Sequence, residues 1–342
     1  MRSEKALYLD ILRLIALFLS IFAYMGGREA GPLVSTLTTT GPVCFFMVSG
    51  AALLNDEEDL KDVWLKRILP VAIGVIVFSF IYFILDVKMD RDQFDLTVFG
   101  ADLYGQDRIF AFWYVYAYLG FLVSLPFLRT LARYLKEHEF VYLLVIAFVV
   151  QTALPVLDDM YFMRRYVLNP SMKITWLVNT VVLFPLAGYY IHYCLTREQM
   201  KRVVAAFWAV TLLWLFIVVK RTNYYTMFVA SGSQYHEYER QCYLPFGMAL
   251  FTTVRLIFGD REPNKILHEI AYCVYGVYLM QGFFCNHIAP IERMRVALMG
   301  EKIGRAMVPP LFVWTLITCL VLLLVTALLR RIPVVRRIFD YE

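Results

Sequence analysis

A carboxylate, a guanidinium, a hydroxyl and a phenol are set into one apolar run near the start of the chain. The segment LYLDILRLIALFLSIFAYM carries Asp10, Arg13, Ser20 and Tyr24, and the residues between them are Leu, Ile, Phe or Ala. At 100° per residue these four fall within about 80° of one another on a helix wheel. Arg13 and Tyr24 are eleven residues apart, three turns or roughly 16 Å along the axis. A charge at bilayer depth costs at least ~2.5 kcal/mol on insertion scales, so such a stripe faces protein or a wet cavity and not lipid. Two uses are open. Asp10 and Arg13 can simply neutralise each other at i,i+3, or the stripe can line a functional cavity.

Other polar positions invite the same question. The second apolar run holds Ser35, Thr36, Thr38, Thr39 and Thr40, then Gly41-Pro42, with Ser49-Gly50 deeper. Such hydroxyls can bond back to their own helix, and Ser49-Gly50 can serve as a close-packing surface. The charged stretch NDEEDLKDVWLKR ends on Lys66-Arg67. That puts Arg67 at the mouth of the next apolar run, either as a snorkelling anchor or as a site for a phosphate-bearing cofactor. Further on, Tyr272, Tyr275, Tyr278 and Gln281 recur at three-residue steps. A Tyr stripe usually combines packing with a hydrogen-bond handle; a buried Gln281 in an apolar run is harder to explain that way. The histidines fall at run ends or between runs. The chain has no GxSxG, HExxH, P-loop or GxGxxG pattern. Its 6 cysteines form no CxxC pair and read as small apolar residues, so no metal site is expected.

The elements that must position these groups follow from composition. Of 342 residues, 60% are hydrophobic and 18% charged, and the mean hydropathy is +0.61. Soluble chains run nearer a quarter charged. Spans are expected at 6–25, 32–54, 68–85, 109–128, 140–157, 174–195, 203–219, 242–258, 270–288 and 307–329. The fold class is therefore an all-α integral membrane protein of about ten transmembrane helices, a single membrane domain over 1–342 with no soluble domain. The first run is interrupted by Asp10 and Arg13 and is too long for a signal peptide, so it reads as the first span. Lys and Arg favour the segments on the amino-terminal side, and the tail RRIPVVRR is the firmest signal, which puts both termini in the cytoplasm. The net charge of +5 reflects short basic loops at a membrane surface and does not point to nucleic acid. The longest loops, 86–108 and 220–241, are too short for a catalytic domain, so any chemistry is built from helices and their ends.

Several stretches occur in an order that carries a resemblance: YLDILRLIALFLSIFAYM, FFMVSGAALL followed by DLKDVWLKRILP, FWYVYAYLGFLVSLPFLR, and YGVYLMQ. Together they resemble the acyltransferase-3 family of bacterial membrane proteins, over nearly the whole chain. The resemblance implies acylation, usually O-acetylation, of cell-envelope polysaccharides or related glycans, with cytoplasmic acyl-CoA as donor. It implies a multi-pass protein of the bacterial cytoplasmic membrane, a glycan or lipid-linked glycan acceptor, and membrane lipid as the surrounding partner. In that family the first span carries an Arg, ten intervening residues and a His; these map to Arg13 and Tyr24. The ninth-span motif YLxH maps to Tyr278-Leu279-Met280-Gln281, so a second His is replaced by Gln281. Of two Arg three apart after the SG motif, Arg67 matches the second and Trp64 stands at the first. Ser49, Gly50, Trp113 and Tyr278 match.

The resemblance thus implies catalytic roles for Arg13, Tyr24, Tyr278 and Gln281, and donor binding by Arg67, Arg13, Ser49 and Trp113. Tyr24 has a free pKa near 10 against about 6.5 for His, which makes it a poor general base at neutral pH. It can still donate a hydrogen bond to a carbonyl or a developing oxyanion. Three readings follow: an active acyltransferase; a family member that has lost catalysis and binds or translocates a glycan; and an unrelated transporter, which predicts internal repeats that the sequence lacks.

Overall fold

The computed structural model describes residues 6–27, 30–91, 93–105, 112–154, 179–228, 242–286, 288–300 and 304–339. Among them there are helices and no strands. The chain separates into two compact units: Met1–Asp56 with Leu125–Asn264, and Glu57–Ser124 with Lys265–Glu342.

Unit 1 is built around α1 (Leu7–Phe22), α2 (Pro32–Thr38) and α3 (Gly41–Leu53). Every residue of α3 is buried, as expected of a helix that is apolar all round. Its closest neighbour is a helix over Thr180–Tyr189. A methyl at Gly50 would overlap the Pro185 carbonyl, and one at Gly188 would overlap the Met47 carbonyl. The two backbones therefore touch, which only glycine permits. α1 packs on α3 just as closely: a Cβ at Gly41 would lie 2.5 Å from Ser20 Oγ.

Unit 2 contains α4 (Leu69–Lys88), α5 (Leu96–Gly105), and the first half of α6 (Trp113–Tyr134), whose second half belongs to unit 1. Unit 1 resumes with α7 (Glu137–Phe148), α8 (Thr180–Tyr189), α9 (Arg197–Phe228) and α10 (Tyr243–Phe258). Unit 2 closes with α11 (Lys265–Ala271), α12 (Val274–Asn286), α13 (Ala289–Met299), α14 (Val308–Leu329) and α15 (Pro333–Phe339). α4 buries Val71, Gly74, Val75, Ser79, Tyr82 and Phe83 while Ile76, Phe80 and Ile81 stay exposed. α14 likewise exposes Phe312, Leu316, Leu320 and Leu324. Apolar surface on this scale belongs against lipid.

Among the described residues, six helices are long and apolar enough to cross a membrane: Leu7–Gly26, Leu33–Leu53, Leu60–Lys88, Trp113–Tyr134, Arg197–Ile217 and Arg305–Leu329. The chain is thus a multi-pass helical membrane protein. Of the remaining expected spans, 242–258 is the shorter apolar helix Tyr243–Phe258. The span at 270–288 is divided, because turns at Tyr272 and Cys273 separate α11 from α12. The spans at 140–157 and 174–195 run partly outside the described residues. The second span is also divided, at Thr39–Thr40, where Pro42 supplies no N–H to the preceding turn. The stretch 86–108 is not plain loop: α5 forms within it and seats Phe99 against Phe80 and Phe83. Most of 220–241 lies outside the described residues.

Candidate functional site

In unit 1 the polar stripe of α1 is buried. Asp10 is 0% exposed, Arg13 5% and Ser20 6%. Arg13 Nη1 donates to Asp10 Oδ1 at 3.0 Å, so the two neutralise each other one turn apart. Ser20 spends its hydroxyl on the Ala16 carbonyl at 2.7 Å. Tyr24 does not continue the stripe on a regular helix. A widened, π-type turn covers Ala23–Gly27, and Gly26 has φ +127°, a conformation that L side chains avoid. Tyr24 is half-buried in that turn. Helix-wheel extrapolation from Arg13 therefore ends at about Phe22.

The Ser/Thr cluster of the second span is satisfied locally. Thr38 donates to the Val34 carbonyl at 2.8 Å, Thr39 to Ser35 at 2.8 Å and Thr40 to Thr36 at 3.1 Å. Ser49 is buried in α3. The carboxyl-terminal end of α3 is held by α6: Arg129 Nε donates to the Leu53 carbonyl at 3.0 Å and Arg133 Nη2 to the Asp56 carbonyl at 3.1 Å.

Unit 2 holds the other expected residues. Arg67, 4% exposed, donates from Nε to Glu58 Oε2 at 2.7 Å and from Nη2 to Glu58 Oε1 at 2.8 Å. This two-pronged pairing is the strong form of the Arg–carboxylate contact. The snorkelling reading of Arg67 is thereby replaced: its head is buried on Glu58. A donor phosphate at Arg67 would have to compete with that carboxylate. Trp113 opens α6, half-buried, edge-on to Tyr114. Tyr114 lies 5.1 Å from the Tyr278 ring and stacks on Tyr118.

Gln281 is 1% exposed, and among the described residues its Oε1 has no hydrogen-bond partner. A buried carbonyl in that state costs about 1–3 kcal/mol and is a ready acceptor for a hydroxyl. Two tyrosines fix the helix that carries it. Tyr82 donates to the Leu279 carbonyl at 2.9 Å, and its oxygen accepts from Phe283 N at 2.6 Å. Its hydroxyl thus stands between two backbone groups that would pair within a regular helix. Tyr275 donates to the Val71 carbonyl at 3.1 Å, the handle expected of the Tyr stripe.

The helices thus gather Arg13, Tyr24 and Ser49 in unit 1, and Arg67, Trp113, Tyr278 and Gln281 in unit 2. Among the described residues no group of three His, Cys, Asp or Glu could hold a metal.

Sequence reasoning missed one cluster in unit 1. The Tyr8 hydroxyl is hydrogen-bonded to His192 Nδ1, and the rings stack at 5.7 Å. His192 lies in a widened turn, Tyr190–Cys194, that ends α8. Arg255, near the end of α10, donates to the Leu195 carbonyl at 3.3 Å and contacts Met200 Sδ at 3.4 Å. The available signal was weak: three polar residues, each at the end of an apolar run.

No curated protein and no solved structure matches the chain. A family model does match: that of the acyltransferase-3 family, described as an acyltransferase domain, covers residues 6–330. That span takes in both α1 with its buried ion pair and α12 with Tyr278 and Gln281, and the chain belongs to the acyltransferase-3 family.

Proposed function

We propose that this protein transfers an acyl group, in the first instance acetyl, from cytoplasmic acyl-CoA to a hydroxyl of a cell-envelope polysaccharide or lipid-linked glycan, in the bacterial cytoplasmic membrane. The family match over 6–330 carries the reading. In the reaction the acceptor oxygen attacks the thioester carbonyl carbon. The C–S bond then breaks, and the hydroxyl proton leaves with the coenzyme A thiol. Arg13 offsets the negative charge that gathers on the thioester oxygen, and Tyr24 donates a hydrogen bond to it. For the acceptor hydroxyl the family resemblance assigns Gln281, whose buried Oε1 can accept a hydrogen bond, and Tyr278. Gln281 takes no proton, so the proton passes directly or through water to the leaving thiolate. Donor contacts are assigned to Ser49, Trp113 and Arg67 by the family resemblance alone. The test is purified protein supplied with acetyl-CoA: free thiol appears, and Arg13→Ala abolishes its release. Unchanged release in that variant removes Arg13 from the mechanism.

A second reading has its own support. Arg13 and Arg67 are both buried on carboxylates, and Tyr24 and Gln281 stand where the family carries His. A member of this kind would bind or translocate a glycan without acylating it. Tyr24→His combined with Gln281→His discriminates: acylation gained from nothing favours this reading, and high activity in the unmodified protein removes it. Family membership leaves no support for an unrelated transporter.

A further inference from the structure

At the end of unit 1 where α1 begins and α8 and α10 end, a guanidinium, an imidazole and a phenol are assembled by residues far apart in sequence. We propose that Arg255 and His192 form a phosphate-binding site, with Tyr8 positioning the imidazole. The ligand class is a phosphate mono- or diester, carried either by a soluble nucleotide-type molecule or by a lipid headgroup. The proposal stands whether or not the chain transfers an acyl group.

Arg255 is half-buried and uses only Nη1, on the Leu195 carbonyl and Met200 Sδ. Among the described residues nothing bonds to its Nε or Nη2, and no carboxylate pairs with it. A partly desolvated guanidinium calls for a counter-charge, and its planar fork matches a phosphate. The bond to Leu195 lies at the end of the helical run from α8, so it fixes the fork in place. His192 lies within electrostatic reach of Arg255, as does Tyr8. The imidazole is clamped: Tyr8 holds Nδ1 and stacks on the ring, and Tyr193 meets it edge-on at 4.3 Å. Among the described residues Nε2 makes no hydrogen bond, which leaves it for a ligand. Phe251 backs Tyr8 edge-on at 5.9 Å.

The neighbouring carboxylates are engaged elsewhere. Glu137 accepts from Gln199 at 3.1 Å, Glu198 pairs with Lys201 at 2.7 Å, and Asp260 pairs with Arg197. Of these, Glu137 is within electrostatic reach of Tyr190 and Cys194 and is not paired with Arg255. A bare capping role for Arg255 would need only Nη1. It would not account for an imidazole locked by two aromatic rings within reach of an unneutralised cation.

The experiment uses the full chain in detergent micelles and in nanodiscs. Adenosine 3′,5′-bisphosphate is titrated calorimetrically into the micellar protein. In parallel, retention of phosphatidylglycerol against phosphatidylcholine is measured by native mass spectrometry after release from mixed nanodiscs. Saturable nucleotide binding that weakens at least tenfold in Arg255→Gln assigns the soluble source. Selective retention of phosphatidylglycerol that disappears in Arg255→Gln assigns the lipid. Should Arg255→Gln fail to elute as a monodisperse species, His192→Gln is read in its place, with at least threefold weakening expected. The proposal is overturned if neither probe binds the unmodified protein, or if the folded variants bind both probes as the unmodified protein does.

Discussion

The hydroxyl of Tyr82 donates to the backbone carbonyl of Leu279, 197 residues away, at 2.9 Å. The same oxygen receives the amide of Phe283 at 2.6 Å. One side chain from α4 therefore enters the backbone ladder of α12 around Gln281. Tyr82→Phe keeps the ring and deletes both bonds. Leaving two buried backbone groups without their partner is expected to lower stability by about 1–3 kcal/mol. Acyl transfer should fall with it, because Gln281 loses its fixed carrier. Thermal unfolding and turnover measured on one preparation check this; an unchanged midpoint would show that the ladder closes on itself.

The Arg13–Asp10 pair separates a structural role from a chemical one. Asp10→Asn removes the carboxylate charge beside a buried guanidinium, and losses of about 3–5 kcal/mol follow when one member of such a pair is removed. Replacing both, as Asp10→Leu with Arg13→Met, removes the two charges together and is expected to recover most of that stability. Activity should not return. A double variant that folds and transfers acyl groups at the normal rate would leave the pair with a purely structural role.

Much of this was legible from the apolar pattern. α1, α4, α6 and α14 fall where bilayer-length runs predict, and the burial of Asp10, Arg13 and Ser20 follows from their shared face. The angle of Tyr24 on the wheel was not readable, because a widened turn covers Ala23–Gly27 and the 100° step of a regular helix does not carry from Arg13 to position 24. Nor was the Glu58 partner of Arg67 readable: nine residues separate them, and the contact runs through a widened turn that helical spacing does not describe. Tyr8 and His192 pair across 184 residues, which only the assembled fold can reveal.

Glu58 holds the Arg67 guanidinium by two hydrogen bonds, so a donor phosphate proposed at Arg67 would compete with it. Glu58→Gln keeps the shape and removes the competing charge. If Arg67 binds the donor, the apparent KM for acetyl-CoA should fall severalfold while Arg67→Ala raises it. An unchanged KM in both variants would assign Arg67 to holding the Glu58 turn and nothing more.

The backbone contact between α3 and α8 predicts a packing limit. Gly188→Ala places a methyl inside the Met47 carbonyl, and Gly50→Ala does the same at Pro185. Overpacking of this kind typically costs about 1–3 kcal/mol. Each variant should show a lowered unfolding midpoint, and the pair together should fail to yield folded protein. Gly120→Ala, where an added methyl meets nothing within 4 Å, is the matched control and should behave as the unmodified protein.

The proposed acyl transfer depends on the buried face of α1. The most direct measurement supplies acetyl-labelled coenzyme A to the cytoplasmic side of sealed vesicles containing the purified protein and an envelope glycan fraction. Label appearing on glycan hydroxyls, alkali-labile and lost in Arg13→Ala, is the predicted result. Intact, unconsumed donor alongside well-folded protein would contradict it.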